Sequence, residues 1–301
     1  MAIGSNPIEQ LGTDSSPADP AELVHEARKA IKRMRALARL LREELGEPEF
    51  ARVNASLREA GRRLAGARDA DVRLATLREL IERHPRALAR APQAHAHPLG
   101  RVAGSSNGDG RAREGIRLLE QQLQHERRSA GEPSDIQDVL ADIAAMRDQL
   151  ARWSLVDIDF DTVRAGLRRI YREGRHRYKR CERASARHEQ DVHDWRKRVK
   201  SLYYALDMLG AKRAKGARRA TMRANRLGDL LGSEHDLWML CCYVEAHPEA
   251  FGGDEQARSE LLRRIERRRR RLRKRALSLG GALYRRKPGK FTRRIGRALA
   301  G

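Results

Sequence analysis

At 301 residues the chain is long enough to bury a sizeable core, and length alone allows one large or two smaller domains. Charged residues make up 35%, aromatics 4% and apolar residues 40%, and this mixture of Leu, Ala, Val and Ile with Arg and Glu suits amphipathic helices and argues against sheets. A formal net charge of +23 must be solvated or met by a polyanion, so nucleic acid, anionic membrane, heparin-like glycan and polyphosphate are the ligand classes left open. Arg outnumbers Lys, and a forked guanidinium can grip phosphate oxygens bidentately.

The first twenty residues carry Gly, Ser, Pro and Asp without periodicity and read as a flexible tail, with neither the basic start nor the apolar run of a secretory signal. A periodic helix is expected from Pro20 to about Leu45, stopped by Gly46 and Pro48. A second is expected over Pro48–Glu82, ended by His84-Pro85. Residues 91–110 read as a loop by their breakers. Helices are then expected over Arg111–Arg128, Asp135–Trp153, Asp161 to about Ser185, His188–Leu209, Lys212–Glu245 and Asp254–Leu279. A short one follows Pro288. No alternating apolar run argues for a strand, so the fold class is all-α. Leu237–Val244 is the longest apolar stretch and is too short to span a bilayer. Cys181, Cys241 and Cys242 form no disulfide framework. The adjacent pair reads as small core residues, and a cytoplasmic location is expected.

An internal repeat is the strongest signal. Val24–Leu41 aligns without gaps to Val192–Leu209, 168 positions later. One matched set is apolar: Val24, Ala27, Ile31, Met34, Ala38 and Leu41 against Val192, Trp195, Val199, Leu202, Leu206 and Leu209. Its steps of three and four trace a buried stripe. The other set is polar: His25, Arg28, Lys29 and Lys32 against His193, Arg196, Lys197 and Lys200. These occupy i, i+3, i+4 and i+7, so like charges share one helix face and repel. A solvated face has no need of the same pattern twice; a face kept cationic for binding does. The first copy extends through Arg35, where the second has Tyr203, and Arg39 faces Asp207 in the alignment. Leu64–Asp69 likewise matches Leu231–Asp236, in which Ala65 and Gly232 suit close helix approach and Asp69 and Asp236 are carboxylates able to support a basic face.

The doubled His-x-x-Arg-Lys-x-x-Lys helices, the Arg68–Val72 segment with its counterpart His235–Leu237, Gly166–Arg175 and Ala282–Phe291 together resemble the CHAD family, the conserved histidine α-helical domain. The resemblance covers about residues 21–300, with a first half over about 21–185 and a second over about 186–300. It implies two pseudo-symmetric helical bundles forming one compact unit with a basic central groove. It also implies binding of inorganic polyphosphate, often at polyphosphate granules. The face implied comprises His25, Arg28, Lys29, Lys32, His193, Arg196, Lys197 and Lys200. Arg35 and Tyr203 extend it, and Arg168, Tyr171, Arg172 and Arg175 form a second tier. No cofactor and no catalysis are expected. The rival expectation is a basic helical nucleic-acid binder, disfavoured by few aromatics and the lack of zinc-finger or RNA-binding motifs. A metal-dependent hydrolase is disfavoured because the paired histidines sit among cations and no hydrolase motif is present. The Arg-dense run Arg263–Arg275 surrounds its helix rather than forming a stripe, which suggests a peripheral electrostatic role.

Overall fold

The computed structural model describes residues 20–64, 66–88, 107–129, 136–152, 159–184 and 188–300. Among the described residues the elements are all helical: α1 (Pro20–Leu40), α2 (Arg42–Arg63), α3 (Gly66–Arg83), α4 (Pro85–Leu88), α5 (Asn107–Ser129), α6 (Ile136–Arg152), α7 (Phe160–Arg183), α8 (Glu189–Met208), α9 (Arg218–Ala246), α10 (Glu255–Tyr284) and α11 (Pro288–Ala300). A 3₁₀ turn, Pro248–Phe251, lies between α9 and α10. The tail expected over 1–20 and the loop expected over 91–110 lie outside the described residues, except that Pro20 opens α1 and 107–110 already belong to α5.

Several boundaries differ from expectation: α1 ends at Leu40 rather than about Leu45, α10 runs on to Tyr284 rather than Leu279, and two others differ for clear local reasons. The helix expected over Pro48–Glu82 is two, because α2 ends at Arg63 and α3 starts at Gly66; α2 itself bends at Gly46, whose φ of 71° only glycine adopts readily. The helix expected from Lys212 starts at Arg218. Gly210, at φ 67°, closes α8 with its N–H on Asp207 and the Ala211 N–H on Leu206, and the chain then turns repeatedly. At the start of α7, Asp159 accepts a 2.8 Å hydrogen bond from the Thr162 N–H, satisfying an orphan donor of the first turn.

The chain divides into two compact units rather than one. The first comprises Met1–Ala65, Glu132–Gly232 and Arg273–Gly301; the second comprises Gly66–Gly131 and Ser233–Leu272. Neither coincides with a sequence half, since each draws segments from both.

The first unit packs α1 on α2, α6, α7 and α8, with α7 also against α8 and α11. Both apolar stripes of the repeat are buried, from Val24 to Leu41 and from Val192 to Leu209. Trp195 and Leu202 join Leu167, Ile170 and Tyr284 in one cluster, while Val24, Ile31 and Met34 pack with Val53, Leu57 and Val139 in another. Gly166 allows α7 to touch α1: a Cβ there would lie 1.9 Å from the Leu40 carbonyl oxygen. Arg169 of α7 donates to the Arg39 carbonyl at 3.0 Å.

The second unit packs α3 with α4 and α5, and α5 with the 3₁₀ turn. Tyr243 accepts from Gln122 at 2.9 Å, donates to Glu126 and lies under the Arg73 guanidinium. Arg269 and Glu234 form a buried ion pair at 3.1 Å, their side chains 5% and 3% exposed. The Arg263–Arg275 run is therefore not simply peripheral. In the second unit Arg264 pairs with Glu260 and Arg268 with Glu79, while Arg273, in the first, pairs with Glu189. Cys181 is buried, but Cys242 is exposed and Cys241 only half-buried, so the adjacent cysteines are not core residues.

Candidate anion-binding site

α1 and α8 are brought together in the first unit. Arg33 of α1 approaches Asp207 of α8 at 4.0 Å, and Arg39 of α1 donates to the Ser201 hydroxyl of α8 at 3.4 Å. The earlier residue of α1 meets the later one of α8, so the helices cross near Ala36 and Tyr204. His25, Lys29, Lys32 and Ala36 follow i, i+4, i+7 and i+11, as do His193, Lys197, Lys200 and Tyr204, so each polar stripe runs into the crossing along one helix face. Each histidine stands roughly 16 Å of helix from it.

None of the eight residues of the doubled pattern is buried: His25, Lys32 and Lys197 are exposed and the other five are half-buried. Arg28 donates to the Leu64 carbonyl at 2.7 Å, binding α1 to the end of α2. Lys29 pairs with Glu26 at 3.0 Å, Lys197 with Asp194 at 3.7 Å and Lys200 with Asp229 at 3.1 Å. Gly228 of α9 accommodates the Lys200 stem, for a Cβ there would meet its Cε at 3.0 Å. The His193 imidazole is held below its ordinary pKa by burial first, then by Lys197 and Arg196, against the opposing pull of Asp194.

A second line of cations, Arg28, Lys32, Arg35 and Arg39, climbs α1 at the same spacing and ends beside α8. Arg35 donates to Asn54 at 3.3 Å, and its guanidinium pKa is lowered by burial, Arg58 and Arg198. Arg39 is lowered to about 10 by burial and then by Arg35 and Arg198, with Glu173 opposing and Arg42 adding to the repulsion. Arg198 pairs with Glu173 at 2.9 Å. Arg39 and Arg198 thus share the Glu173 carboxylate at the crossing, with Arg35 close enough to both to repel them. Repulsion among desolvated like charges is unfavourable by itself and is relieved by an anion. Arg39, Arg58 and Arg198 were not among the expected site residues: Arg39 breaks the repeat, and Arg198 sits on the flank of α8, aimed at α7.

The second tier does not hold together as expected. Arg168 and Arg172 are exposed, and Arg175 donates to the Tyr284 carbonyl at 3.1 Å. Tyr171 is fully buried; its hydroxyl donates to the Leu283 and Arg286 carbonyls at 3.1 and 3.0 Å, and its ring stacks on Phe291 at 3.9 Å. Burial pushes its phenol up to about 12. It is a structural tie between α7, α10 and α11, with no surface to offer a ligand. Tyr203 is half-buried beside Tyr204, with the Lys212 ammonium 5.2 Å over its ring. Asp69 and Asp236 are half-buried residues of the second unit, on α3 and α9. Ala65 lies outside the described residues, and Gly232 has open space where close approach was expected. Among the described residues no group of three or more His, Cys, Asp or Glu could hold a metal ion, and no helix is long and apolar enough to cross a membrane.

The CHAD domain family model matches residues 13–245, leaving α10 and α11 beyond the match. No curated protein and no solved structure matches the chain.

Proposed function

The chain belongs to the CHAD domain family, and from that premise we propose that it binds inorganic polyphosphate, without catalysis, through the cationic faces of α1 and α8. The observation that carries this reading is the convergence of Arg35, Arg39 and Arg198 at the α1–α8 crossing, where burial first and then mutual repulsion depress the guanidinium pKa of Arg39 to about 10. Such a cluster favours a flexible, densely charged anion. Polyphosphate offers charge on every unit and no base to stack on, so its affinity rests on charge-assisted hydrogen bonds and counterion release. Polyphosphate granules are then the expected cellular partner.

Two features support a pseudo-two-fold arrangement of this basic track. The contact between Arg33 and Asp207 maps onto that between Ser201 and Arg39 when each residue is exchanged for its repeat equivalent, as an isologous interface requires. The two units also part at equivalent places, after Ala65 in the first copy and after Gly232 in the second.

The test is a salt-dependent polyphosphate titration of the intact chain beside a Lys29→Ala/Lys32→Ala/Lys197→Ala/Lys200→Ala variant of confirmed helicity. Loss of four cations is expected to flatten the slope of log K against log salt by about 3, by analogy with single-stranded polyanions. Equal affinity and slope for the two proteins would remove the proposal. Phosphate release by the pure protein would overturn its non-catalytic part. DNA or RNA displacing polyphosphate at matched phosphate concentration would favour the nucleic-acid reading.

A further inference from the structure

A second concentration of arginine lies within the first unit, away from the α1–α8 faces. Arg219 and Arg223 of α9, Arg285 and Arg286 after α10, and Arg294 of α11 line one pocket of about 130 Å³ that opens to the surface, where Arg219, Arg285 and Arg294 are exposed and Arg223 and Arg286 half-buried. Among the described residues no carboxylate lines it. Among the described residues none of the five guanidinium groups is in an ion pair, which sets them apart from the many paired arginines elsewhere in the chain. The remaining wall is apolar, from Leu283, Phe291 and Ile295, all buried.

The cavity is built rather than incidental. Arg294 donates from Nε and Nη2 to the Gly216 carbonyl at 3.4 and 3.3 Å, joining α11 to the turn before α9. Gly216 permits that approach, since a Cβ there would meet the Ala298 Cβ at 2.8 Å. Phe291 is fixed by its stack on Tyr171, whose hydroxyl holds the Arg286 carbonyl. The first turn of α9 carries two arginines and no acidic residue, placing cations at the positive end of the helix dipole, where they are unfavourable unless an anion is present.

From this we infer that the cavity is a binding site for a compact, multiply charged oxyanion of the diphosphate type. Four forked donors, with Arg294 adding charge while its fork is on Gly216, and no acceptor side chain among the described lining residues select an anion with many oxygens. The pocket is small beside those of nucleotides and other drug-sized ligands, which usually run to roughly 300–1,000 Å³, so it would take in a diphosphate-sized group and leave anything longer outside. The apolar wall lowers the local dielectric and strengthens each charge-assisted bond. The site is independent of the α1–α8 track. Its ligand is either free diphosphate or the end of a longer phosphate chain, which share the same chemistry.

The experiment is calorimetric titration of the intact chain with pyrophosphate, with sulfate as a divalent control at matched ionic strength. Saturable pyrophosphate binding, at least tenfold tighter than sulfate, is expected. Arg223→Gln/Arg285→Gln is expected to weaken it by on the order of tenfold or more, from the loss of two charge-assisted contacts. The quadruple lysine variant of α1 and α8 is expected to bind pyrophosphate unchanged, so that failure here and failure of the polyphosphate track are separately visible. Arg219→Lys/Arg285→Lys, which keeps charge and removes the fork, serves if the glutamine variant loses its helical signal, and is expected to weaken binding severalfold. Short chains losing more affinity than long ones at equal phosphate in the pocket variant would assign the site to chain ends; equal losses would assign it to free diphosphate. No saturable pyrophosphate binding, or binding unaffected by the pocket variants, would overturn the inference.

Discussion

Neutralising Asp229 should tighten polyphosphate binding. Its carboxylate holds the Lys200 ammonium at 3.1 Å, with the two side chains 60% and 27% exposed. At that distance unit charges attract by about 1.3 kcal/mol in bulk water, and the ordering of two flexible side chains reduces the measurable value of exposed pairs to about 0.2–1 kcal/mol. A polyanion that recruits Lys200 must first displace this contact. Asp229→Asn removes the competitor, so affinity should rise by roughly 1.4- to 5-fold, while the salt slope should hardly change, because Lys200 already counts among the cations of the track. The assay is anisotropy of labelled polyphosphate titrated with protein across several salt concentrations. Asp142→Asn, which removes the partner of Arg63, adds the same net charge elsewhere in the first unit and is the control. Unchanged or weaker binding by a folded Asp229→Asn protein, or an equal gain from Asp142→Asn, would refute the local role given to Lys200.

Four other outcomes follow from the geometry. Gly166→Ala drives a methyl into the Leu40 carbonyl and should destabilise the first unit by about 3 kcal/mol or more in urea unfolding. Glu234→Ala removes one of the carboxylates paired with buried Arg269, which keeps Glu266 at 3.3 Å, and should cost about 1.5–3 kcal/mol, whereas an apolar replacement of both Arg269 and Glu234 should be milder. His193, its pKa depressed in the folded chain, binds fewer protons than in the unfolded one, so its share of stability is present above the unfolded pKa of about 6.5 and is lost as pH falls towards the folded value. Phosphates nearby reverse that pull, so polyphosphate affinity should climb on acidification, and an imidazole NMR midpoint that does not rise on adding polyphosphate would exclude this coupling. A thiol reagent should modify exposed Cys242 first and Cys181 only on unfolding, since Cys181 is buried and its thiol is pushed up to about 12.

The helices and both buried stripes were legible because apolar residues at three- and four-residue steps report a core face wherever that face is packed. The crossing of α1 on α8 was legible only as a repeat: the alignment pairs equivalent residues and does not say which ones touch. Tyr171 shows the limit of reasoning from helical spacing. It lies three residues from Arg168 and so near the same face, yet a rotation of about 60° relative to the arginine line turns it to the core, where the late Ala282–Phe291 segment closes over it. Likewise Arg269 reads as one of many arginines in its run, and its burial against Glu234 of another helix lies outside any local window. Arg198 and Arg58 were missed because neither belongs to a repeated pattern; their role arises from three helices meeting, which no local window contains.

The exchange of Arg33–Asp207 for Ser201–Arg39 bears on ligand class as well as on fold. A pseudo-two-fold site offers the same cations to a strand entering from either side. Inorganic polyphosphate has no direction along its chain, so both arms of the proposed track meet identical chemistry, and a chain bound in either sense is equally satisfied. A single nucleic-acid strand has polarity, and its sugars and bases approach the two arms differently, so it can satisfy one arm only at the expense of the other. The departures from symmetry fall where this logic permits them. Arg35 and Arg39 on α1 stand opposite Tyr203 and Asp207 in the repeat, and Asp207 is already tied to Lys212 at 2.6 Å. On the proposed reading the stronger arm is that of α1, and Arg35→Gln/Arg39→Gln should weaken polyphosphate binding more than Arg196→Gln/Lys200→Gln, although each removes two cations. Equal losses would mean that the crossing cluster adds nothing beyond its charge, and the reading built on it would fall.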